Sequence, residues 1–203
     1  MFLPLQDNDS HVCIFAGFLL TLHTFSMMVK RKETTMKNID PRELTDNFFE
    51  AVGKEWMLVT AGTKEKFNMM TASWGCIGWL WNKPVAVAFI RPERFTHSII
   101  EQQERLTLSF LGDSQEMRKA YSICGSKSGR DCDKVKETGL HPVETKDGSV
   151  TFEEARLTLV CRKLYKDTLK EGNFIDKDLT QWYGEKGGYH DVYVLEIEEC
   201  LVK

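Results

Sequence analysis

The run Val85-Ala86-Val87-Ala88-Phe89-Ile90 is apolar at every position and lies between Asn82-Lys83-Pro84 and Arg91-Pro92. Six apolar residues between breakers are too few for a buried helix and read as a strand buried on both faces. Its neighbours follow the same economy. Residues 56–62 and 67–74 are β-like runs joined by the polar turn Thr63-Lys64-Glu65-Lys66, which reads as a hairpin. Residues 106–111 alternate polar and apolar groups, as a strand with one polar face does. Two further strands are read over 156–164 and 191–197, with a polar, glycine-containing excursion over 166–188 between them. Helical patterns are short. Asp40 caps and Pro41 opens a helix over 41–52 that Gly53 ends; Thr96 caps one carrying Ile99 and Ile100; Ser114 caps one through Met117, Ala120 and Tyr121; residues 132–138 make one ended by Gly139. Strands do not alternate regularly with ten-residue helices, which argues against a doubly wound parallel sheet. The pattern is mainly β: a small, mostly antiparallel barrel with peripheral short helices.

The 203 residues, 42% of them hydrophobic, suit one ordinary domain with a proper core. Lys and Arg number 27 against 30 Asp and Glu, a net charge of −3, so no basic excess points to nucleic acid. The six cysteines, at 13, 76, 124, 132, 161 and 200, show no C-x-x-C and no zinc-finger spacing to histidine. They read as reduced thiols of a cytoplasmic protein, with no metal site. Residues 13–25 are apolar but fall short of the ~20 a spanning helix needs. The basic Lys30-Arg31-Lys32 follows that run, whereas a secretory signal carries its charge in front. Residues 1–35 are therefore expected to be an N-terminal extension outside the domain, without a membrane role, and residues 36–203 to be the domain.

Three stretches carry chemistry. Asn68-Met69-Met70-Thr71-Ala72-Ser73-Trp74-Gly75 alternates small hydroxyls with apolar groups, and on a strand Met69, Thr71 and Ser73 share one face. Arg91-Pro92-Glu93-Arg94-Phe95-Thr96 leaves a buried strand and enters a helix. Free N–H groups there, with guanidinium forks beside them, suit an anion. Gly125-Ser126-Lys127-Ser128-Gly129-Arg130 resembles a phosphate cradle in composition but is neither a P-loop nor a Rossmann fingerprint; Lys127 adds a charge. A planar aromatic ligand carrying a phosphate accounts for the first two together.

The run N-x-x-T-A-S-W-G (68–75), R-P-x-R-F-T (91–96), S-G-R-D (128–131) with Asp133-Lys134, and H-x-x-x-x-x-E-I (190–197) together resemble the flavin reductase-like family, and more narrowly its flavoredoxin branch. The resemblance covers residues 42–200. It implies an FMN-binding split β-barrel with Greek-key connections, a homodimer, and FMN in a cleft formed by two subunits. It implies that Asn68 and Trp74 flank the flavin site and that Thr71, Ala72 and Ser73 offer hydrogen bonds to the ring edge; Met69 joins them as a cofactor-binding residue through the strand face it shares with Thr71. It further implies that Arg91, Arg94 and Thr96 hold the phosphoribityl end with Lys127 nearby, and that His190 matches the family's late histidine. The two arginines are not ranked by the sequence. The long 166–188 stretch departs from the pattern and leaves open what covers the flavin.

Under this resemblance the cofactor performs the redox chemistry, and no catalytic side chain is named. Two functions share the site: an FMN-dependent oxidoreductase taking hydride from NAD(P)H, and a non-catalytic FMN electron-transfer protein serving a redox-protein partner. A third reading drops the flavin and uses Cys76 as a reactive thiol. Ile77 and Trp79 beside it suggest burial, which argues against that reading.

Overall fold

The computed structural model describes residues 36–184 and 188–203; the expected N-terminal extension, residues 1–35, lies outside the described residues. Ten strands and four short α-helices are described. The strands are β1 (Lys37–Ile39), β2 (Met57–Thr63), β3 (Lys66–Ala72), β4 (Gly75–Leu80), β5 (Lys83–Ile90), β6 (Arg105–Phe110), β7 (Pro142–Glu144), β8 (Val150–Phe152), β9 (Leu157–Thr168) and β10 (Asp191–Val202). The helices are α1 (Phe48–Glu50), α2 (Phe95–Ile100), α3 (Gln115–Ser126) and α4 (Lys134–Thr138).

The main sheet runs β3-β2-β6-β9-β10-β5-β4, with β1 also on β10. Every neighbouring pair is antiparallel. The path ends at β3 and β4, and the chain crosses between those two ends through only Ser73 and Trp74. That corner is the split of the barrel. Strands β9 and β10, twelve residues each, pair with register shifts at Val194/Leu195 and Ile197/Glu199.

One core fills the barrel. Val59 and Ala61 of β2, Ala86, Ala88 and Ile90 of β5, Leu106, Leu108 and Phe110 of β6, Leu157 and Leu159 of β9, and Leu195 and Ile197 of β10 meet there. A second core packs α3 against the outer face of β2 and β3 through Leu58, Met69, Met117, Ala120 and Tyr121. Strand β2 is consequently buried from Met57 to Gly62, on both faces. The doubly buried strand expected at 85–90 is thus elsewhere. Val87 and Phe89 are half-buried and face outward, because the outer side of β5 borders the site described below. The polar face of β6 is also buried. The β7–β8 hairpin covers it, with Thr107 Oγ1 donating to the Val150 carbonyl at 2.5 Å and Ser109 Oγ 3.0 Å from Thr151 Oγ1.

Three local expectations change. The helix over 41–52 is broken: Pro41–Glu43 is one 3-10 turn, Leu44 is extended, and the Asn47 side chain accepts from Phe49 N at 3.1 Å to start a new turn. A second capping residue interrupted the apolar period. The chain break at Asn82 is instead the turn of a β4–β5 hairpin. Trp81 and Asn82 both take positive φ (52° and 57°), the pair a two-residue hairpin turn requires. Strand β4, Gly75–Leu80, is not among the strands read from the sequence; its glycines at 75 and 78 weaken the strand pattern. Finally, Arg94 rather than Thr96 is the N-cap of α2; Thr96 lies inside the helix and is buried.

Gly62 sits at the end of the β2–β3 hairpin with φ +112°, and a Cβ there would stand 2.2 Å from the Lys66 carbonyl. Gly62→Ala is expected to cost at least about 2 kcal/mol of stability, read as a lowered urea midpoint. An unchanged midpoint would contradict this account of the hairpin.

Candidate functional site: two hollows joined at Arg94

Two hollows of about 170 Å³ each open near the split, and Arg94 lines both. The first lies between the Arg94–Thr96 turn, the Gly125–Gly129 stretch, Asn68 and Lys134. The second lies along Met70–Trp74 and is walled by Phe89, Arg91 and His190.

The first hollow holds buried positive charge. The Lys134 ammonium is almost fully buried and donates to the carbonyls of Met69 (2.8 Å) and Cys124 (2.9 Å). Arg94 Nη2 donates to the same Cys124 carbonyl at 3.2 Å. Cys124 belongs to the last turn of α3, where carbonyls lack helical partners and the dipole favours cations. That accounts for part of the placement only. An ammonium has three N–H donors and a guanidinium five. Among the described residues, Lys134 makes two of these bonds and Arg94 one, and neither has a carboxylate within ion-pair distance. Burial pushes the pKa of both cations down. Lys134 is buried and Arg94 half-buried, and a buried charge without a counter-ion is costly, which suits the hollow to an anion.

The surrounding groups are fixed closely. Asn68 Nδ2 donates to Thr96 Oγ1 at 2.8 Å, both buried. The backbone at Gly129 lies so near Asn68 that a Cβ would stand 2.1 Å from its Oδ1. Any Cβ there would force the hydrogen-bonded Asn68 side chain to move, so glycine lets this loop approach the hollow closely.

The other cations are engaged. Lys127 lines the hollow but its ammonium pairs with Glu137. Arg91 lies 3.6 Å from Glu93 and donates to the Trp182 carbonyl at 2.7 Å. Glu93 also lines the first hollow, so its mouth is not uniformly positive.

The second hollow is flatter and more aromatic. Thr71 Oγ1 donates to the Tyr121 carbonyl at 2.6 Å, which ties β3 to α3. Trp74 stands 5.0 Å from the His190 ring and edge-on to Trp182 at 5.9 Å. His190 is buried, with Nδ1 3.2 Å from the Tyr183 hydroxyl. Burial, then the nearby Arg91 charge, pushes its pKa down to about 4. The imidazole is therefore neutral at pH 7, with one N–H and one lone pair.

The structure thus brings Asn68, Arg94, Thr96 and Lys127 to the first hollow, and Thr71, Ala72, Ser73, Trp74, Arg91, Arg94 and His190 to the second. Met69 is a correction. It shares a strand face with Thr71, but α3 covers that face at Met69, whose side chain joins the outer core and lines neither hollow. Only its carbonyl takes part, through Lys134. Lys134, Gly129 and Phe89 were missed by sequence reasoning. The Asp133-Lys134 pair was visible, but a lysine opening a short helix reads as solvated. Cys76, expected to be buried, is exposed on the edge strand β4 and belongs to neither hollow. Among the described residues, no cluster of metal-binding side chains occurs, and no helix is long and apolar enough to cross a membrane.

The depressed His190 value makes a stability prediction. Between its ordinary 6.5 and the folded value of about 4, the folded protein binds fewer protons than the unfolded chain. Its contribution is fully present above about 6.5 and is lost as pH falls towards 4, up to about 3 kcal/mol. The urea midpoint of the wild type is expected to fall across that window, and His190→Gln to flatten the fall. Parallel pH profiles for the two proteins would show that His190 does not titrate as its surroundings imply.

Known structures share this fold. The flavoredoxin of Methanosarcina acetivorans superposes with a TM-score of 0.55 at 21% identity, over 73% of this chain and 68% of that one. An FMN-binding protein from Thermus thermophilus, solved with bound p-hydroxybenzaldehyde, gives 0.58 at 20%, over 83% and 82%. Nitrilotriacetate monooxygenase component B from Bacillus cereus gives 0.56 at 17%, over 82% and 81%. At these identities the likeness establishes the fold, a split barrel. No curated protein matches the chain. The flavin reductase like domain matches residues 49–203, which takes in β2 to β10 and both hollows, and the chain accordingly belongs to the flavin reductase-like family.

Proposed function

We propose that the protein binds FMN, with the phosphate in the hollow under Arg94 and Lys134 and the ring system in the adjoining hollow, and that it works as an FMN-dependent oxidoreductase drawing hydride from NAD(P)H. The observation that carries this reading is the pair of hollows that share Arg94 in their walls: one holds the buried Lys134 and the half-buried Arg94, neither in an ion pair among the described residues, and the other is lined by the end of strand β3 and by aromatic rings. A planar ring with a phosphate at the end of a short chain matches both. One compact anion hollow suits a terminal monophosphate, which favours FMN over FAD.

The residues present fit that group. Lys134 and Arg94 hold free N–H donors for phosphate oxygens, and the Gly129 backbone can approach closely because no Cβ intervenes. The Asn68–Thr96 pair fixes one wall of the first hollow. The 71–73 backbone at the end of β3 offers hydrogen bonds to a ring edge, and Trp74 supplies an apolar wall. His190, neutral and held by Tyr183, contributes a fixed dipole without a net charge. When bound, the flavin supplies the hydride and electron chemistry; the chain supplies orientation and local field.

A second reading, an FMN electron carrier serving a protein partner, is favoured by the exposed indoles at the rim, Trp74 and Trp182. Anaerobic mixing of the flavin-loaded protein with NADH or NADPH separates the two. Rapid bleaching of the flavin band supports the oxidoreductase, and no bleaching with either nucleotide supports the carrier. We also propose that two copies of the chain pair through the edge strand β4 and the turn after it, where Trp79, Leu80 and Trp81 are exposed. The free cysteines fit a reducing, cytoplasmic setting.

Two measurements test this. Arg94→Ala is expected to weaken FMN about ten- to a hundredfold while leaving riboflavin, which lacks the phosphate, nearly unchanged. Arg91→Ala should not distinguish the two ligands. Equal loss of FMN and riboflavin in Arg94→Ala, followed by flavin fluorescence, would remove the phosphate assignment. In sedimentation at micromolar concentration the wild type should run as a dimer and Trp79→Glu/Trp81→Glu as a monomer. A monomeric wild type with flavin bound sinks the β4 interface.

A further inference from the structure

The connection between β9 and β10 does not stay at the barrel's edge. It makes two 3-10 turns, Glu171–Asn173 and Lys177–Trp182, and returns beside the ring hollow. Its anchor is aromatic: Tyr183 packs on Tyr189 (ring centroids 4.6 Å apart), on His190 (5.5 Å) and on Phe174 (5.8 Å). Tyr183 is buried, and its hydroxyl meets His190 Nδ1. Arg91 then ties the connection to the barrel in two ways. Nη2 donates to the Trp182 carbonyl at 2.7 Å, and the guanidinium lies over the Tyr183 ring, 5.4 Å from its centroid.

The result is an exposed indole on a fixed backbone. Trp182 is 58% exposed and Trp74 39%, yet the two rings stand at 89° to each other with centroids 5.9 Å apart. Trp74 lines the ring hollow and Trp182 does not. They form a right-angled corner at its rim. A flat ring entering that corner stacks on one indole and meets the other edge-on, the two arrangements aromatic pairs favour. A saturated, puckered ring of the same size can do neither well.

We propose that Trp182 is a specificity-determining wall for a planar, aromatic second substrate of the ring hollow, and that Arg91 is the positioning residue that holds this wall in place. The proposal rests on the flavin reading above for the identity of the first ligand. It also gives the long 166–188 stretch a task that the barrel itself does not require.

The test uses full-length protein loaded with FMN, and calorimetric titration with 4-hydroxybenzaldehyde, which is planar, and cyclohexanecarboxaldehyde, which is not. Trp182→Ala is expected to weaken the planar ligand roughly two- to tenfold, to leave the puckered one unchanged, and to leave FMN affinity within about twofold. Arg91→Ala should lower the same planar-to-puckered ratio, and Arg91→Lys, which can still donate to the Trp182 carbonyl, should restore most of it. A merely structural role would weaken both aldehydes together. The proposal is overturned if the ratio is unchanged in Trp182→Ala, or if the wild type shows no preference for the planar ring. A wild type that takes up no FMN fails the flavin reading instead; the same titrations on that flavin-free protein then decide the wall by the same ratio.

Discussion

The carbonyl of Cys124 accepts hydrogen bonds from both Lys134 and Arg94, and the site depends on that shared acceptor. Through it the end of α3, the start of α4 and the turn before α2 are fixed to one another. Lys134 adds the Met69 carbonyl and so includes β3. An ammonium removed from water must keep its hydrogen bonds, which makes this junction intolerant of movement. The chain has placed two positive charges where the fold alone has no use for their remaining donors. Such an arrangement is stable enough to persist and leaves donors of both cations unused among the described residues. The Cys124 thiol beside it is held inert, because burial raises its pKa to about 11 despite both cations.

A second network sets the opposite face of α2. His97 lies 2.7 Å from Asp191, which also accepts from Thr168 at 2.6 Å and pairs with Lys166 at 2.9 Å. Lys166 reaches Glu101, and Tyr193 donates to Glu101 at 2.6 Å. This ties the helix to β9 and β10 on the side away from the anion hollow. Helix α2 is consequently tied to α3 at its start, through Arg94, and to the long strands through His97. Asp191 immediately follows His190, so the strand that carries the network also delivers the imidazole to the ring hollow. Binding groups on regular elements keep tighter geometry than groups on loops.

The same long strands explain the connection over the rim. Because β9 runs through Thr168 and β10 begins at Asp191, the chain leaves and re-enters the barrel beside the split. Whatever it carries must lie next to the ring hollow. A segment so placed acquires function readily, since its ends are rigid and its surface is free to vary.

Much of this was legible in the sequence, and the reason is locality. The β2–β3 hairpin follows from two apolar runs and a polar turn, and the caps at Asp40, Ser114 and Gly139 from single residues beside short periods. The grouping of Asn68 with Thr71–Trp74, and of Arg91 with Thr96, is a fact about neighbours along the chain. The division of labour between the two arginines is not. Arg94 points into the hollows and Arg91 to the Trp182 carbonyl because of elements thirty and ninety residues away. The burial of Lys134, the covering of Met69 by α3, the exposure of Cys76 on an edge strand and the perpendicular indoles at the rim have the same origin. Residue types and their spacing determined which groups this protein has available for an anion and a flat ring. Only tertiary packing decided which of them lost their water and their partners, because desolvation and pairing belong to the contacts between elements and not to any stretch of chain.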